Sequence, residues 1–206
     1  MYIKMWGTRG SLPRATDNDE LASLVERLAR AAKERGIQSI EEVAKAMKLG
    51  TFAMPMTYGG NTSCTEVGAE GESYYIDMGS GLREAGTFAV TQGQREFHIF
   101  MTHMHWDHVM GMPFFTPVHS GHCKVHIYHV HKNAPEYIKI NFNGINFPLK
   151  WEQLAGKIEF HQLRLYEGLK FGKTKITPFA LDHPGGSFGY RFENGGKAIA
   201  IGVDGE

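Results

Sequence analysis

The sequence predicts an α/β protein in which short strands alternate with amphipathic helices. Residues 97–101 and 174–181 are apolar or alternate in hydrophobicity, as strands do. Residues 17–35, by contrast, repeat apolar side chains at the three-to-four spacing of a helix. With 206 residues, the chain has the length of one large domain or of one and a half small ones.

The composition argues against several classes of protein. Basic and acidic residues number 22 each, so the charges balance, and nothing indicates a disordered chain or a strongly basic nucleic-acid binder. We find no apolar run that could span a bilayer and no signal peptide, so a membrane partner is not expected. Cys64 and Cys123 lack the spacing of a structural zinc site, which favours a cytoplasmic protein with reduced thiols.

Residues 14–57 predict a helical hairpin. Asp17 or Asn18 is expected to cap a helix that runs to about Arg35. Ser39, followed three residues later by a glutamate, has the capping-box pattern that opens a second, shorter helix. Two interpretations stay open: a packing lid or dimer surface, and an element that controls substrate entry.

The remaining elements follow from strand, helix and turn signals. Strands are predicted over residues 2–6, 61–67, 73–77, 97–101, 124–131, 157–161, 174–181, 187–192 and 197–203, and a helix over residues 82–92. Glu70-Gly71 and Asn194-Gly195-Gly196 are the expected hairpin turns. Residues 135–150 are interpreted as an irregular or helical segment above the functional site.

Four side chains that can bind metal lie within six residues, directly after the predicted strand 97–101. His103 and His105 are two residues apart and can converge on one ion. Asp107 and His108 lie just beyond them and can turn to a second ion. Imidazole suits zinc, iron and nickel, and a carboxylate adds negative charge. This clustering predicts a metal site.

The segment His103–His108 (HMHWDH) resembles the His-x-His-x-Asp-His signature of the metallo-β-lactamase-fold hydrolases. Further phrases are similar to the branch near tRNase Z and the phosphonate-pathway phosphodiesterases: Gly7–Pro13 (GTRGSLP), Tyr58–Cys64 (YGGNTSC), Ile76–Leu82 (IDMGSGL), Gly111–Phe115 (GMPFF), His183–Arg191 (HPGGSFGYR) and Val203–Gly205 (VDG). The resemblance implies a four-layer αββα sandwich of two mixed sheets, with residues 14–57 as an insert. The sandwich could be incomplete at its C-terminal end.

The resemblance also implies a site for two divalent ions, with zinc favoured over manganese or iron. Its protein ligands would be His103, His105 and His183 for the first ion, Asp107 and His108 for the second, and Asp204 between them. Asp77 resembles a carboxylate that supports the metal loop through hydrogen bonds. The family pattern continues past Glu206 with one more metal-binding His. Either the natural chain extends further, or fewer protein ligands hold the second ion.

The function that the resemblance implies is that of a metal-dependent hydrolase. The phrases favour a phosphodiesterase acting on a cyclic nucleotide or another small phosphodiester. A hydroxide between the two ions would attack phosphorus, and Asp107 could accept the proton of the water. The alternatives are a nuclease or thioester hydrolase on the same metal core, or an inactive metal-binding regulatory module. A homodimer is left open, and a nucleic-acid partner is not favoured.

A second group of histidines lies between residues 119 and 131. Its members are His119, His122, His126, His129 and His131. Strand alternation places His126 on one face with Tyr128, and His129 with His131 on the other. We favour surface or pocket-rim positions for this group over a separate metal site. His161 follows a short apolar run, and the motif assigns it no role.

Overall fold

The computed structural model describes residues 1–48 and 60–206 of the chain, which divides into two compact units. The larger, called the main unit here, comprises Met1–Pro13 and Asn61–Glu206, and the smaller comprises Arg14–Gly60. Residues 49–57 of the predicted insert lie outside the described residues. Among the residues that are described, no helix is both long enough and apolar enough to cross a membrane.

The element boundaries agree with most of the sequence predictions. The α-helices are α1 Asn18–Glu34, α2 Ile40–Lys48, α3 Gly81–Thr91, α4 Trp106–Val109 and α5 Ala134–Lys139. The strands are β1 Tyr2–Gly7, β2 Cys64–Ala69, β3 Glu72–Ile76, β4 Glu96–Phe100, β5 Lys124–His129, β6 Lys157–Gln162, β7 Leu169–Phe171, β8 Thr174–Leu181, β9 Ser187–Asn194 and β10 Lys197–Ile201. β7 was not predicted, because three residues are too few to show an alternating pattern.

The smaller unit contains the two predicted helices. Asp17 caps α1: its carboxylate accepts the Glu20 N–H at 2.8 Å, and the Glu20 carboxylate accepts the Asp17 N–H at 3.3 Å. This reciprocal pair satisfies two backbone donors that the first turn leaves unpaired. The Ser39 hydroxyl accepts the Glu42 N–H at 3.1 Å at the start of α2. The cap positions predicted from the sequence are therefore confirmed.

The first sheet is mixed and has six strands in the order β1-β2-β3-β4-β5-β6. The first three strands are antiparallel, and β3 to β6 are parallel. Glu70 and Gly71 turn β2 into β3 with φ values of 56° and 84°, as expected for a tight hairpin. The outer face of this sheet is apolar and packs against α3 and nearby short turns, where Phe97, Phe115 and Val125 are fully buried.

The second sheet has four strands in the order β10-β9-β8-β7, and each neighbouring pair is antiparallel. The expectation of a mixed second sheet is therefore wrong for these strands, since direct hairpin connections force antiparallel pairing. Phe100 on the first sheet stacks on Tyr128 at 4.6 Å and contacts Tyr190 of the second sheet at 5.2 Å between ring centroids. The sheets thus pack face to face, and the predicted fold class is confirmed.

Hydrogen bonds from β9 and to the segment after β3 hold the chain that follows β4. The Tyr190 hydroxyl donates to the Met101 carbonyl at 2.6 Å, and the Phe188 N–H donates to the Thr102 carbonyl at 3.0 Å. The Gly111 N–H donates to the Met78 carbonyl at 2.8 Å. A Cβ atom on Gly111 would lie 1.9 Å from the carbonyl oxygen of Gly79, so only glycine permits the two backbone segments to come this close.

Candidate metal centre

The predicted ligands come from three connections of the main unit. Four of them, His103, His105, Asp107 and His108, lie on the segment after β4, while His183 follows β8 and Asp204 follows β10. The sequence predicted a loop for the whole metal motif. Trp106–Val109 instead forms one helical turn, α4, which carries Asp107 and His108. The turn brings the His108 ring to 4.1 Å from the His103 ring, between ring centroids, so the two pairs of side chains lie next to each other.

One group of potential ligand atoms comprises His103, His105, His183 and Asp204. These atoms all lie within 4.8 Å of one another. His105 Nδ1 is 3.2 Å from His183 Nε2. Asp204 Oδ2 is 3.6 Å from His103 Nε2 and 3.9 Å from His183 Nε2. Three imidazoles and one carboxylate at these separations form a donor set that suits a zinc-like ion.

A second group shares Asp204 with the first. Its other members are Asp107 and His108. His108 Nε2 lies 3.3 Å from Asp204 Oδ2 and 3.6 Å from Asp107 Oδ2. The structure therefore brings all six predicted ligands together in two adjoining sets with a common carboxylate. That these side chains bind metal stays a prediction.

The hydrogen bonds of His103 support the fit to a metal ion. His103 is 1% exposed, and its Nε2 has no hydrogen-bond partner among the described residues. Its Nδ1 lies 3.0 Å from the Thr102 hydroxyl, which itself donates to Asp77 at 2.9 Å. With the Thr102 proton committed to Asp77, His103 must donate from Nδ1, and the lone pair of Nε2 faces the site. A buried nitrogen without a partner is costly, and a bound cation would satisfy it.

Asp77 organises this part of the site without facing it. It is fully buried and follows β3 with a φ of 66°. Its carboxylate accepts the Thr102 N–H at 2.9 Å, the Ser63 hydroxyl at 3.1 Å and the His108 Nδ1–H at 2.7 Å. When the His108 ring is neutral, the last bond leaves the lone pair of its Nε2 directed towards Asp204. Hydrogen-bonding support by Asp77 was expected from the sequence, and these contacts confirm it.

The two buried histidines differ in their affinity for protons. Burial, together with the neighbouring His108, lowers the pKa of His103 to about 4. Burial also acts to lower the pKa of His108, but the hydrogen bond and charge of Asp77 outweigh it, so that pKa is raised. His103 is thus a neutral imidazole at neutral pH, as ligation requires.

Ser11 is a site residue that the sequence analysis missed. Its backbone N–H donates to Asp107 Oδ2 at 2.9 Å, although the two residues are 96 positions apart. Ser11 has a φ of 64°, in the left-handed region that a non-glycine residue rarely adopts. The signal available in the sequence was the glycine-rich phrase that contains Ser11, but its partner could not be inferred locally.

A cavity of about 600 Å³ opens beside the first group of ligands. Trp106 forms part of its wall and is 63% exposed. Tyr137, on α5, and Asn141 and Asn146, beyond α5, line the cavity as well. The predicted position of residues 135–150 above the site is therefore confirmed. Such a wall combines aromatic surface with amide groups that can form hydrogen bonds.

The histidines between residues 119 and 131 are not all at the surface or the pocket rim. His131 lines the cavity, and His122 is exposed, as expected. His126 and His129 are only 6% and 3% exposed, so the expectation is wrong for them. Side chains of the neighbouring strands cover them: the His98 and His161 rings each lie 5.0 Å from the His126 ring, and the Phe160 ring lies 6.2 Å from the His129 ring, between ring centroids.

Comparison with known proteins identifies the family. A family profile described as a beta-lactamase superfamily domain matches residues 75–204, more than half of the chain. Solved structures with the metallo-β-lactamase fold align with the chain over a similar extent. The chain therefore belongs to the β-lactamase superfamily and has the metallo-β-lactamase fold.

Two curated relatives are named ribonuclease Z. The protein of Pyrococcus abyssi is 26% identical over 147 residues, which cover 70% of this chain and 46% of the relative. The protein of Limosilactobacillus fermentum is 31% identical over 127 residues, which cover 58% of this chain and 38% of the relative. The chain thus spans less than half the length of each of these relatives.

Two solved structures show the shared fold. The metallo-β-lactamase-fold protein YhfI from Bacillus subtilis aligns with a TM-score of 0.50 and 17% identity, covering 68% of this chain and 53% of that one. The short form of human tRNase Z also aligns with a TM-score of 0.50, at 20% identity, covering 69% of this chain and 62% of that one. At these identities the likeness concerns the fold alone.

Proposed function

We propose that the protein is a metal-dependent hydrolase that cleaves a small phosphodiester. The observation that carries the proposal is the pair of adjoining donor sets that share Asp204 and border a cavity of about 600 Å³. Two adjoining sets match the arrangement that two-metal sites use to stabilise both the attacking and the leaving oxygen of a displacement.

The proposed first-ion ligands are His103, His105 and His183, the proposed second-ion ligands are Asp107 and His108, and Asp204 would lie between the ions. Divalent ions bound there would lower the pKa of a water molecule to about 7 and neutralise charge on phosphoryl oxygens. Zinc is our first choice because the donors are mostly imidazole nitrogens.

The chain's own residues would orient the reacting groups. The Ser11 N–H holds Asp107 Oδ2, so the Asp107 carboxylate keeps one orientation in which it can accept a proton from the nucleophile. Trp106 and Tyr137 offer aromatic surface to the organic part of a substrate. Asn141 and Asn146 offer amide groups that can fix its orientation.

The size of the cavity favours a small substrate, since about 600 Å³ lies within the range of pockets for molecules of nucleotide size. A balanced net charge also gives no general attraction to a polyanion. The names of the curated relatives favour the second candidate, a ribonuclease. The two candidates share the metal centre and differ in how much of the substrate lies outside the cavity.

The test compares three substrates on zinc- or manganese-loaded protein: bis(p-nitrophenyl) phosphate, an RNA oligonucleotide and nitrocefin, a chromogenic β-lactam. We expect hydrolysis of the first to be fastest, because a phosphodiester is an anion whose displacement needs charge stabilisation. Asp107→Ala should abolish it, whereas His122→Ala, at an exposed histidine away from the site, should leave it unchanged.

Each other outcome has a defined meaning. Preferred cleavage of RNA would favour the nuclease over the small phosphodiester. Efficient cleavage of nitrocefin with both phosphodiesters untouched would overturn the proposed substrate class. Bound metal without turnover of any substrate, including a thioester, would support an inactive metal-binding module instead.

A further inference from the structure

A second cluster of imidazole and carboxylate groups lies on β5 and β6, outside the candidate metal centre. Its members are His126, Glu159 and His161, whose potential ligand atoms lie within 4.8 Å of one another. They share a face of the first sheet with Tyr128, because Tyr128 pairs with His161 and His126 with Glu159 in the parallel register. No group of the candidate metal centre belongs to this cluster.

The three donor atoms form a compact triangle. His126 Nδ1 lies 2.8 Å from His161 Nε2 and 3.4 Å from Glu159 Oε2. Glu159 Oε2 is 3.9 Å from His161 Nε2. An ion at about 2.0–2.1 Å from both nitrogens requires them about 3.3 Å apart, so the two rings would need to separate by only about half an ångström.

The orientation of His126 is set from its other side. Glu96 Oε1 lies 2.8 Å from His126 Nε2 and accepts a hydrogen bond from its N–H. Nδ1 is then left with its lone pair directed at His161 and Glu159. A carboxylate behind a ligating histidine is a common feature of metal sites, because it fixes the tautomer and the ring. His98 stacks on the His126 ring at 5.0 Å between centroids, which restrains it further.

We propose that His126, Glu159 and His161 form a separate binding site for one divalent ion of the zinc class. Two imidazoles and one carboxylate suit such an ion, and water would complete its coordination. The Glu159 and His161 side chains are 33% and 37% exposed, so an ion and its water can enter from solvent.

Lys124 competes with the ion for Glu159. Its Nζ lies 3.2 Å from Glu159 Oε2, and Lys157 Nζ lies 3.4 Å from Oε1. Both pairs are partly exposed to solvent, where such pairs are weak, so an ion can displace Lys124. Lys124→Gln should therefore strengthen ion binding, because it removes the competing ammonium group. A cluster held only by hydrogen bonds gives no reason to expect this gain.

The experiment is a zinc titration of metal-depleted protein by calorimetry, with thermal unfolding as a second readout. Four proteins form a cycle: the natural sequence, His161→Ala, His105→Ala and the double variant. We expect His161→Ala to lower the zinc stoichiometry by one ion in both backgrounds and to remove the corresponding rise in unfolding temperature. His122→Ala is the matched control and should bind as the natural sequence does.

This cycle separates the inference from the proposed function. If the candidate active site binds no ion, His105→Ala changes nothing, yet the difference of one ion caused by His161→Ala remains. Equal stoichiometry with and without His161 would overturn the inference and leave a hydrogen-bonded cluster. If His161→Ala does not fold, Glu159→Gln decides: it should weaken zinc binding by roughly tenfold or more, and unchanged binding would equally overturn the inference.

Discussion

Replacing Asp77 by Asn tests whether one buried carboxylate organises the candidate metal centre. Asn tolerates the positive φ of 66° at this position, so the backbone is not strained by the change. The Asn oxygen is expected to face the Thr102 N–H, which can only donate. In the unchanged protein, Asp77 Oδ2 accepts hydrogen bonds from Ser63 and His108. In the variant, the NH₂ group occupies the position of Oδ2 and cannot accept them.

The magnitude follows from the bonds that change. Two hydrogen bonds to a charged acceptor, each worth about 1.5–3 kcal/mol, are lost and only partly replaced, so we expect the free energy of unfolding to fall by about 2–4 kcal/mol. The amide would also favour a proton on His108 Nε2, because it donates to Nδ1. Nε2 is the proposed ligand atom, and a proton on it blocks ligation, so zinc affinity should fall about 10–100-fold.

Urea denaturation measures the first effect, and zinc titration of the metal-depleted protein measures the second. Asp19→Asn, at an exposed carboxylate in the first turn of α1, is the control and should change neither quantity appreciably. If Asp77→Asn matches the natural sequence in both stability and zinc affinity, the reasoning about the tautomer of His108 is refuted.

Three further predictions concern the scaffold. Gly111→Ala should destabilise the main unit by at least about 1–3 kcal/mol in urea denaturation, whereas Gly121→Ala, with its nearest neighbour at 3.8 Å, should be tolerated. Asp17→Ala should weaken α1 by about 1 kcal/mol, seen as faster hydrogen exchange of its first-turn amides only. Tyr190→Phe leaves the buried carbonyl of Met101 without its donor and should cost about 1–3 kcal/mol in unfolding free energy; no change would contradict the assigned bond.

Local elements were predictable because their signals lie within a few residues. The capping pair at Asp17 and Glu20 needs only two side chains and one helical turn. The turn at Glu70-Gly71 needs only positive φ angles at two adjacent positions. β7, by contrast, consists of three residues and is held by pairing with β8, which no local pattern shows.

The candidate site was partly predictable for the same reason. His103, His105, Asp107 and His108 stand within six residues, so their spacing alone indicated a metal site. His183 and Asp204 could be added only through the family resemblance. The structure places Asp204 Oδ2 within 3.3–3.9 Å of three histidines, which depends on how the second sheet packs on the first.

The sequence by itself determined the family, most of the elements and the side chains that can hold metal, since these depend on local spacing and residue chemistry. Only the tertiary structure decided that Ser11 holds Asp107, and that His126, Glu159 and His161 form a cluster. The partners in both cases are tens of residues apart in the chain. Strand register and sheet packing bring them together, and neither depends on a pattern within a single segment.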